Sequence, residues 1–140
     1  MQRKSVHVAL SKLGRGVFAR RHLAQRTRIG RVTGEIVYDA EYGSEFCMTF
    51  GDGVLEPEPP FRYLNHSCDP NCELVIWTYD DPADWEMHLY ATKRIEPGDE
   101  LTIDYAWTGE DAIPCACGSK SCRGWIVAPT EIPPGLPKLG

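Results

Sequence analysis

What most constrains this chain is the failure of any helical period. No stretch of eleven or more residues repeats apolar side chains every 3.6 positions, so long amphipathic helices cannot supply the core. Thirteen glycines and eleven prolines instead break the sequence at short intervals. The segments between them are short, alternating and rich in β-branched residues. "SVHVAL", "GRGVFA", "TRIGRVTGEIV", "CELVIWTY", "WEMHLYAT" and "ELTIDY" read as strands. The glycines of "GRG" permit a tight turn ahead of the second of these. Pro97-Gly98 fits the central positions of a type II turn, which predicts a hairpin between the last two strands. "GDGVLEPEPP" is a loop, because its prolines stop both ladder and helix. Helix is confined to single turns, around "PFRYLN" or "YDAEYGSEF". The expectation is a mainly β protein with long irregular connections.

At 140 residues, with 42% hydrophobic and 25% charged side chains, the chain suits one domain with its own core. No apolar run nears the roughly 20 residues that a membrane-crossing helix needs. The basic N-terminus lacks the apolar stretch of a signal peptide, so the expectation is an intracellular protein, cytoplasmic or nuclear and not secreted. A net charge of −5 argues against direct nucleic-acid binding and suits a basic partner. The acidic loop "YDDPADWE" (79–86) would face such a partner, although a solvated loop is the commoner meaning of such a run. The proline-rich residues 129–140 read as a mobile tail.

Six cysteines without a secretion signal point to thiolates or metal ligands rather than disulfides. "CACGSKSC" brings Cys115, Cys117 and Cys122 within eight residues, with Gly118 to relieve the turn. Structural zinc takes four tetrahedral ligands and favours thiolate. The fourth must come from Cys47, Cys68 or Cys72, and spacing does not choose among them. Three reduced thiols, or a local disulfide and a spare, is the plainer alternative. "RYLNHSCDPNC" (62–72) crowds thiols, an imidazole and carboxamides around one proline, which fits a metal site, a catalytic centre or a polar turn. "KLGRGVFA" lacks the context of a dinucleotide fingerprint or a phosphate loop and alone is a turn. Tyr105, beside Asp104, is alone a core or surface aromatic.

Taken in order, "GRGVFA", "RYLNHSCDPNC", "GDELTIDYAW" and "CACGSKSCRGW" resemble the SET-domain family of protein lysine methyltransferases with its cysteine-rich post-SET tail, over about residues 5 to 127. The resemblance implies short strands in several small sheets with a knot-like C-terminal segment. It divides the chain into a SET domain at 5–108, a post-SET zinc-binding segment at 109–128 and the tail. It also implies S-adenosyl-L-methionine as methyl donor and one structural zinc ion. Asn65 and His66 would contact the cofactor, while Gly14, Arg15 and Gly16 would line its methionine end. Trp125 would cover the adenine, unless it anchors the tail to the core. Cys68 would be the fourth zinc ligand beside Cys115, Cys117 and Cys122, leaving Cys72 a packed free thiol. Tyr105 would be catalytic, orienting the attacking amine beside the transferring methyl.

Ile103 stands where the family often has Phe or Tyr lining the lysine channel; without a hydroxyl there, the channel would admit more than one methyl. Val32 replaces a tyrosine that often contacts the cofactor, with Tyr38 or Tyr42 as substitutes. The segment between Gly34 and Arg62 is short for the insertion that helps build the substrate groove. The implied partner is a protein presenting a lysine in a basic segment, such as a histone tail. A minimal, free-standing domain could form a homodimer to complete its groove. Two rival functions remain. One is a catalytically silent, zinc-stabilised SET module that binds a protein, which Val32 favours. The other is a hydrolase with Cys68 as nucleophile and His66 as base. It is disfavoured because a thiol and a base two residues apart on one loop rarely face each other.

Overall fold

The computed structural model describes residues 5–12, 14–106, 113–128 and 130. Among them are twelve short strands: β1 Val6–Ser11, β2 Gly14–Ala19, β3 Arg28–Val32, β4 Gly34–Val37, β5 Met48–Phe50, β6 Gly53–Pro57, β7 Asn65–His66, β8 Cys72–Trp77, β9 Glu86–Ala91, β10 Glu100–Ile103, β11 Ile113–Pro114 and β12 Trp125–Ile126. They form one sheet in the order β1-β2-β10-β7, a second in the order β3-β9-β8, a third in the order β4-β6-β5, and the ribbon β11-β12. Helical turns within the described residues include the 3-10 turns at Phe61–Tyr63 and Pro82–Asp84. Among the described residues no helix is long and apolar enough to cross a membrane. The expected tail, residues 129–140, and the start of the expected post-SET segment lie almost wholly outside the described residues.

The first hairpin follows from its residues. β1 and β2 pair from Val6↔Ala19 to Ser11↔Gly14, and Gly14 takes φ +102°, a conformation open to glycine. The Ser11 hydroxyl donates to the Gly14 carbonyl at 3.0 Å and closes the bend. The strand therefore begins at the first glycine of "GRGVFA" rather than after a turn. Val17 and Leu101 face each other across β2 and β10, and both are fully buried. Leu23, Phe61, Leu89 and Ile95 complete the centre of the core.

"GDGVLEPEPP" is not a loop throughout: Gly53–Pro57 is β6, the middle strand of its sheet, pairing with β4 and β5, and the first proline, Pro57, ends the strand rather than preventing it. Three further expectations are corrected. "TRIGRVTGEIV" is two strands in two sheets: β3 pairs with β9, and β4 pairs with β6. Thr33 makes the corner, its carbonyl accepting from the Glu58 N–H at 2.9 Å and its hydroxyl donating to Glu58 Oε1 at 2.8 Å. The Pro97-Gly98 turn forms, with the Asp99 N–H on the Glu96 carbonyl at 3.0 Å and Gly98 at φ +89°. It makes no hairpin, however, because β10 pairs with β2 and β7 and not with β9. Backbone bonds from Gly98 N–H to the Ala19 carbonyl and from Ala19 N–H to the Asp99 carbonyl draw the turn onto β2 instead. Third, "YDAEYGSEF" holds turns, closed from Tyr42 to Asp39 and from Cys47 to Ser44, and no helix. The 3-10 turn at Pro82–Asp84 replaces it, capped by the Asp81 carboxylate on the Ala83 N–H.

The pairing that builds the site is β7 with β10. They run parallel, with Thr102 opposite Asn65 and Ile103 opposite His66. The Asn71 carboxamide extends this edge: it donates to the Glu100 carbonyl at 2.8 Å and accepts from the Thr102 N–H at 2.9 Å. A side chain thus satisfies strand groups in an irregular, half-buried segment, where unpaired backbone would be costly.

Candidate active site and metal centre

Two cavities adjoin at Tyr105. One, of about 460 Å³, is lined by Arg15, Asn65, His66, Cys117 and Ile126 among others. The other, of about 370 Å³, has apolar walls from Met48, Leu74, Ile76, Met87 and Ile103. Glu45, Phe46, Arg62, Leu64 and Tyr105 line both. The hydroxyl of Tyr105 donates to the Leu64 carbonyl at 2.6 Å, and its own N–H donates to His66 Nδ1 at 3.0 Å. Burial pushes its phenol up to about 12, with the charges of Glu45 and Glu100 adding to the effect. The group is therefore protonated at neutral pH and acts by hydrogen bonding, not as a base.

The first cavity is framed by an Asn65 hub. Asn65 Nδ2 donates to Glu100 Oε2 at 2.7 Å and to the Arg15 carbonyl at 3.0 Å, with Ser11 Oγ at 3.3 Å. These acceptors fix the carboxamide at the cavity wall. Gly16 is required here by close approach, since a Cβ would strike the Glu100 carboxylate and come within 3.2 Å of Asn65 Nδ2. Arg15 stacks its guanidinium 5.3 Å from the Tyr63 ring centroid and donates to the Tyr63 hydroxyl at 3.2 Å. Trp125 is half-buried on β12, opposite Pro114, and its neighbour Ile126 lines the cavity. Val32 is 1% exposed and packs in the core opposite Met87. Tyr38 is exposed, and the Tyr42 hydroxyl donates to Glu56; neither lines the two cavities.

Cys68, Cys115, Cys117 and Cys122 bring their sulfurs within 4.8 Å of one another. Cys68 Sγ and Cys115 Sγ are 3.9 Å apart. Four thiolates about 2.3 Å from a tetrahedral zinc would be separated by about 3.8 Å, so this cluster could hold a metal ion. The loop is folded for that convergence. Gly118 and Gly124 take φ +76° and +85°, and the Cys115 N–H bonds the Gly124 carbonyl at 3.0 Å. The N–H groups of Arg123 and Gly124 point at Cys68 Sγ and Cys122 Sγ, each at 3.3 Å. Burial raises the Cys68 and Cys115 thiols, a penalty that a coordinated cation overrides by deprotonating its ligands. The other two candidates stay apart. Cys72 is buried in β8, and burial pushes its thiol up to about 12. The Cys47 thiol lies 3.5 Å from Glu56 Oε1.

His66 joins the two centres. Its Nδ1 accepts from the Tyr105 N–H, and its Nε2 lies 3.4 Å from Cys68 Sγ. Burial lowers its pKa to about 4, so the neutral imidazole carries its proton on Nε2, toward the sulfur. His66 and Cys68 therefore do face each other, contrary to the expectation from spacing. The sulfur is nonetheless one of four in a cluster that could hold a metal ion, and there it would serve as a ligand rather than a nucleophile. Sequence reasoning missed Arg123 and Val127 and gave Asp104 no part beyond its place beside Tyr105. Arg123 Nη2 bonds Asp104 Oδ1 at 2.9 Å and its Nε bonds the Val127 carbonyl at 3.0 Å, while Val127 is fully buried. Only "CRG" hinted at the first of these, and a single valine carries no signal.

Comparisons with known proteins bear on the family and the fold. The SET domain family model matches residues 14–106. The chain is 32% identical over 143 residues to the histone-lysine N-methyltransferase trr of Drosophila melanogaster, covering 89% of this chain and 6% of that one. It is 45% identical over 67 residues to the Drosophila melanogaster histone-lysine N-methyltransferase Set2, covering 46% and 3%. The chain thus spans only a small part of the length of these curated relatives. Among solved structures, KRYPTONITE in complex with mCHH DNA, H3(1-15) peptide and SAH superposes with a TM-score of 0.76 at 22% identity, over 86% of this chain and 29% of that one. With the family model spanning well over half of its residues and the same fold found in a solved relative, the chain belongs to the SET-domain family.

Proposed function

We propose that this protein is an S-adenosylmethionine-dependent protein-lysine N-methyltransferase with one structural zinc. The observation that carries the proposal is the pair of cavities meeting at Tyr105. The cavity beside Asn65 and Arg15 has a volume usual for ligand sites and mixes polar groups with the apolar Ile126 and Leu64. The cavity beside Ile103 has the apolar walls that suit a lysine's methylene chain. S-adenosylmethionine bound in the first supplies an electrophilic methyl on a sulfonium.

The chain's task is to present a neutral amine in line with that methyl. A free lysine has a pKa of about 10.4, and a dry channel favours its uncharged form. Tyr105, with its proton committed to Leu64, offers an oxygen lone pair to the amine's N–H. It thereby fixes the direction of the nitrogen lone pair, and alignment of this kind is worth several powers of ten in rate. The Asn65 carbonyl oxygen, held by Glu100 and Arg15, would accept from the cofactor's ammonium. The four sulfurs suit zinc by number, softness and spacing, and free thiolates of this kind fit a reducing, intracellular compartment.

The substrate class follows from charge. Residues 35–58 and 79–86 hold eleven carboxylates and no Lys or Arg. The two segments touch where Trp85 packs near Gly51, and the first contributes Glu45 to Met48 to the apolar cavity. A basic segment, as in a histone tail, complements this face, whereas nucleic-acid phosphates do not. The solved KRYPTONITE complex holds an H3(1-15) peptide and SAH, the kind of ligand pair proposed here, together with mCHH DNA. The test is incubation with methyl-labelled S-adenosylmethionine and a panel of basic proteins, followed by mapping of labelled lysines by mass spectrometry. Label on defined lysines is the expected result. Cofactor binding without transfer to any protein would favour a silent binding module.

A further inference from the structure

Glu56, on β6, lines neither cavity, yet four donors converge on its carboxylate. Oε1 accepts from the Tyr42 hydroxyl at 2.8 Å and the Ser44 hydroxyl at 2.6 Å, with the Cys47 thiol at 3.5 Å. Oε2 accepts from Arg62 Nη1 at 2.6 Å. The Arg62 guanidinium lies 3.9 Å from the Phe46 ring centroid, and the Phe46 N–H donates to Ser44 Oγ at 3.1 Å. Every tie therefore leads to Arg62 or to the segment 42–47. These carry Glu45, Phe46 and Arg62, three of the five residues that line both cavities.

We propose that Glu56 is a positioning residue that fixes the wall shared by the two cavities and so couples cofactor binding on one side to lysine-peptide binding on the other. The inference rests on the methyltransferase reading. The segment 42–47 has no strand or helix of its own, and it carries Glu45 with no basic residue, so it depends on these ties for order. The Ser44 hydroxyl above all, with Tyr42, Arg62 and Cys47, holds the Glu56 carboxyl below the usual carboxylate range, so the hub is charged at neutral pH. Charge-assisted bonds are the strong ones among such contacts. A wall held this way moves as one unit, so a shift imposed by one ligand is passed to the face that meets the other, and such coupling must be reciprocal.

Glu56→Gln tests this with little change in volume, since it keeps one acceptor oxygen and turns an NH₂ or a neutral oxygen toward Arg62. Calorimetry on the full chain would measure the Kd of S-adenosylhomocysteine alone and with a saturating amount of the peptide labelled in the preceding experiment. In the parent, the peptide should tighten S-adenosylhomocysteine by about tenfold, a usual size for coupled sites. In Glu56→Gln the ratio should fall below about twofold while each ligand still binds alone. Ser44→Ala, which removes one neutral tie, should give an intermediate ratio and guards against a variant that fails to fold. A ratio unchanged in both variants, or no coupling in the parent, overturns the inference alone. A parent that binds no S-adenosylhomocysteine overturns the methyltransferase reading and this inference with it.

Discussion

Tyr105 gives its hydroxyl proton to the Leu64 carbonyl at 2.6 Å, which leaves lone pairs as the side of the oxygen that can meet a substrate N–H. Tyr105→Phe keeps the ring and its packing. It should lower single-turnover methyl transfer by about 10²–10³, the usual loss for one positioned polar group at a transition state. The Leu64 carbonyl loses its partner, so a thermal melt should show a loss of about 1 kcal/mol, far short of unfolding. Near-parental turnover would remove Tyr105 from the mechanism. Ile103, 4% exposed and on the wall of the apolar cavity, brings no hydroxyl to hold a water or the amine. Time-resolved mass spectrometry should therefore find di- and trimethyl-lysine accumulating with excess cofactor. Ile103→Tyr should shift the products toward monomethyl-lysine, and a parent that stops at one methyl contradicts this use of Ile103.

Among the elements, β4 and β6 approach so closely that only glycine fits between them at one point. A Cβ on Gly34 would strike the Glu56 carbonyl oxygen and come within 2.9 Å of its carbon. Backbone cannot swing aside as a side chain can, so Gly34→Ala should cost about 1–3 kcal/mol by overpacking, read as a lowered melting temperature. An unchanged melt would mean that the two strands slide apart without cost. Element by element, the strands are legible where alternation is clear, as in "SVHVAL", "CELVIWTY" and "ELTIDY". Their partners are not. Pro97-Gly98 encodes its turn locally, but the partner of the next strand is set by Ala19, far away in sequence. Thr33 carries no breaker signal, because the corner it makes depends on Glu58. The candidate site is legible wherever several functional side chains are adjacent in sequence, as with Asn65, His66 and Cys68. Glu100, Arg123 and Glu56 are missed, since each acts through contacts between residues separated in sequence, which leave no periodicity or motif.

For the whole molecule, the four-sulfur cluster brings residues 113–127 onto the loop after β7, with the Arg123–Asp104 ion pair and the buried Val127 adding to that hold. Removing zinc with a strong chelator should therefore free the C-terminal segment to proteases and abolish activity while far-UV dichroism keeps most of the β signal, because the three larger sheets do not include it. Elemental analysis of protein purified without chelator should return one zinc per chain; no stoichiometric metal would refute the cluster's role. The parallel pairing of Asn65–His66 with Thr102–Ile103 has a consequence for synthesis. Ribosomes add roughly 5–20 residues per second, so the segment 62–72 leaves the exit tunnel seconds before its partner strand does. About three-quarters of the chain must exist before the two halves of the site can meet. Through that interval Cys68, Cys72 and the still-unburied His66 stand open to oxidants and stray metal, so reducing conditions during translation would protect the site before it closes.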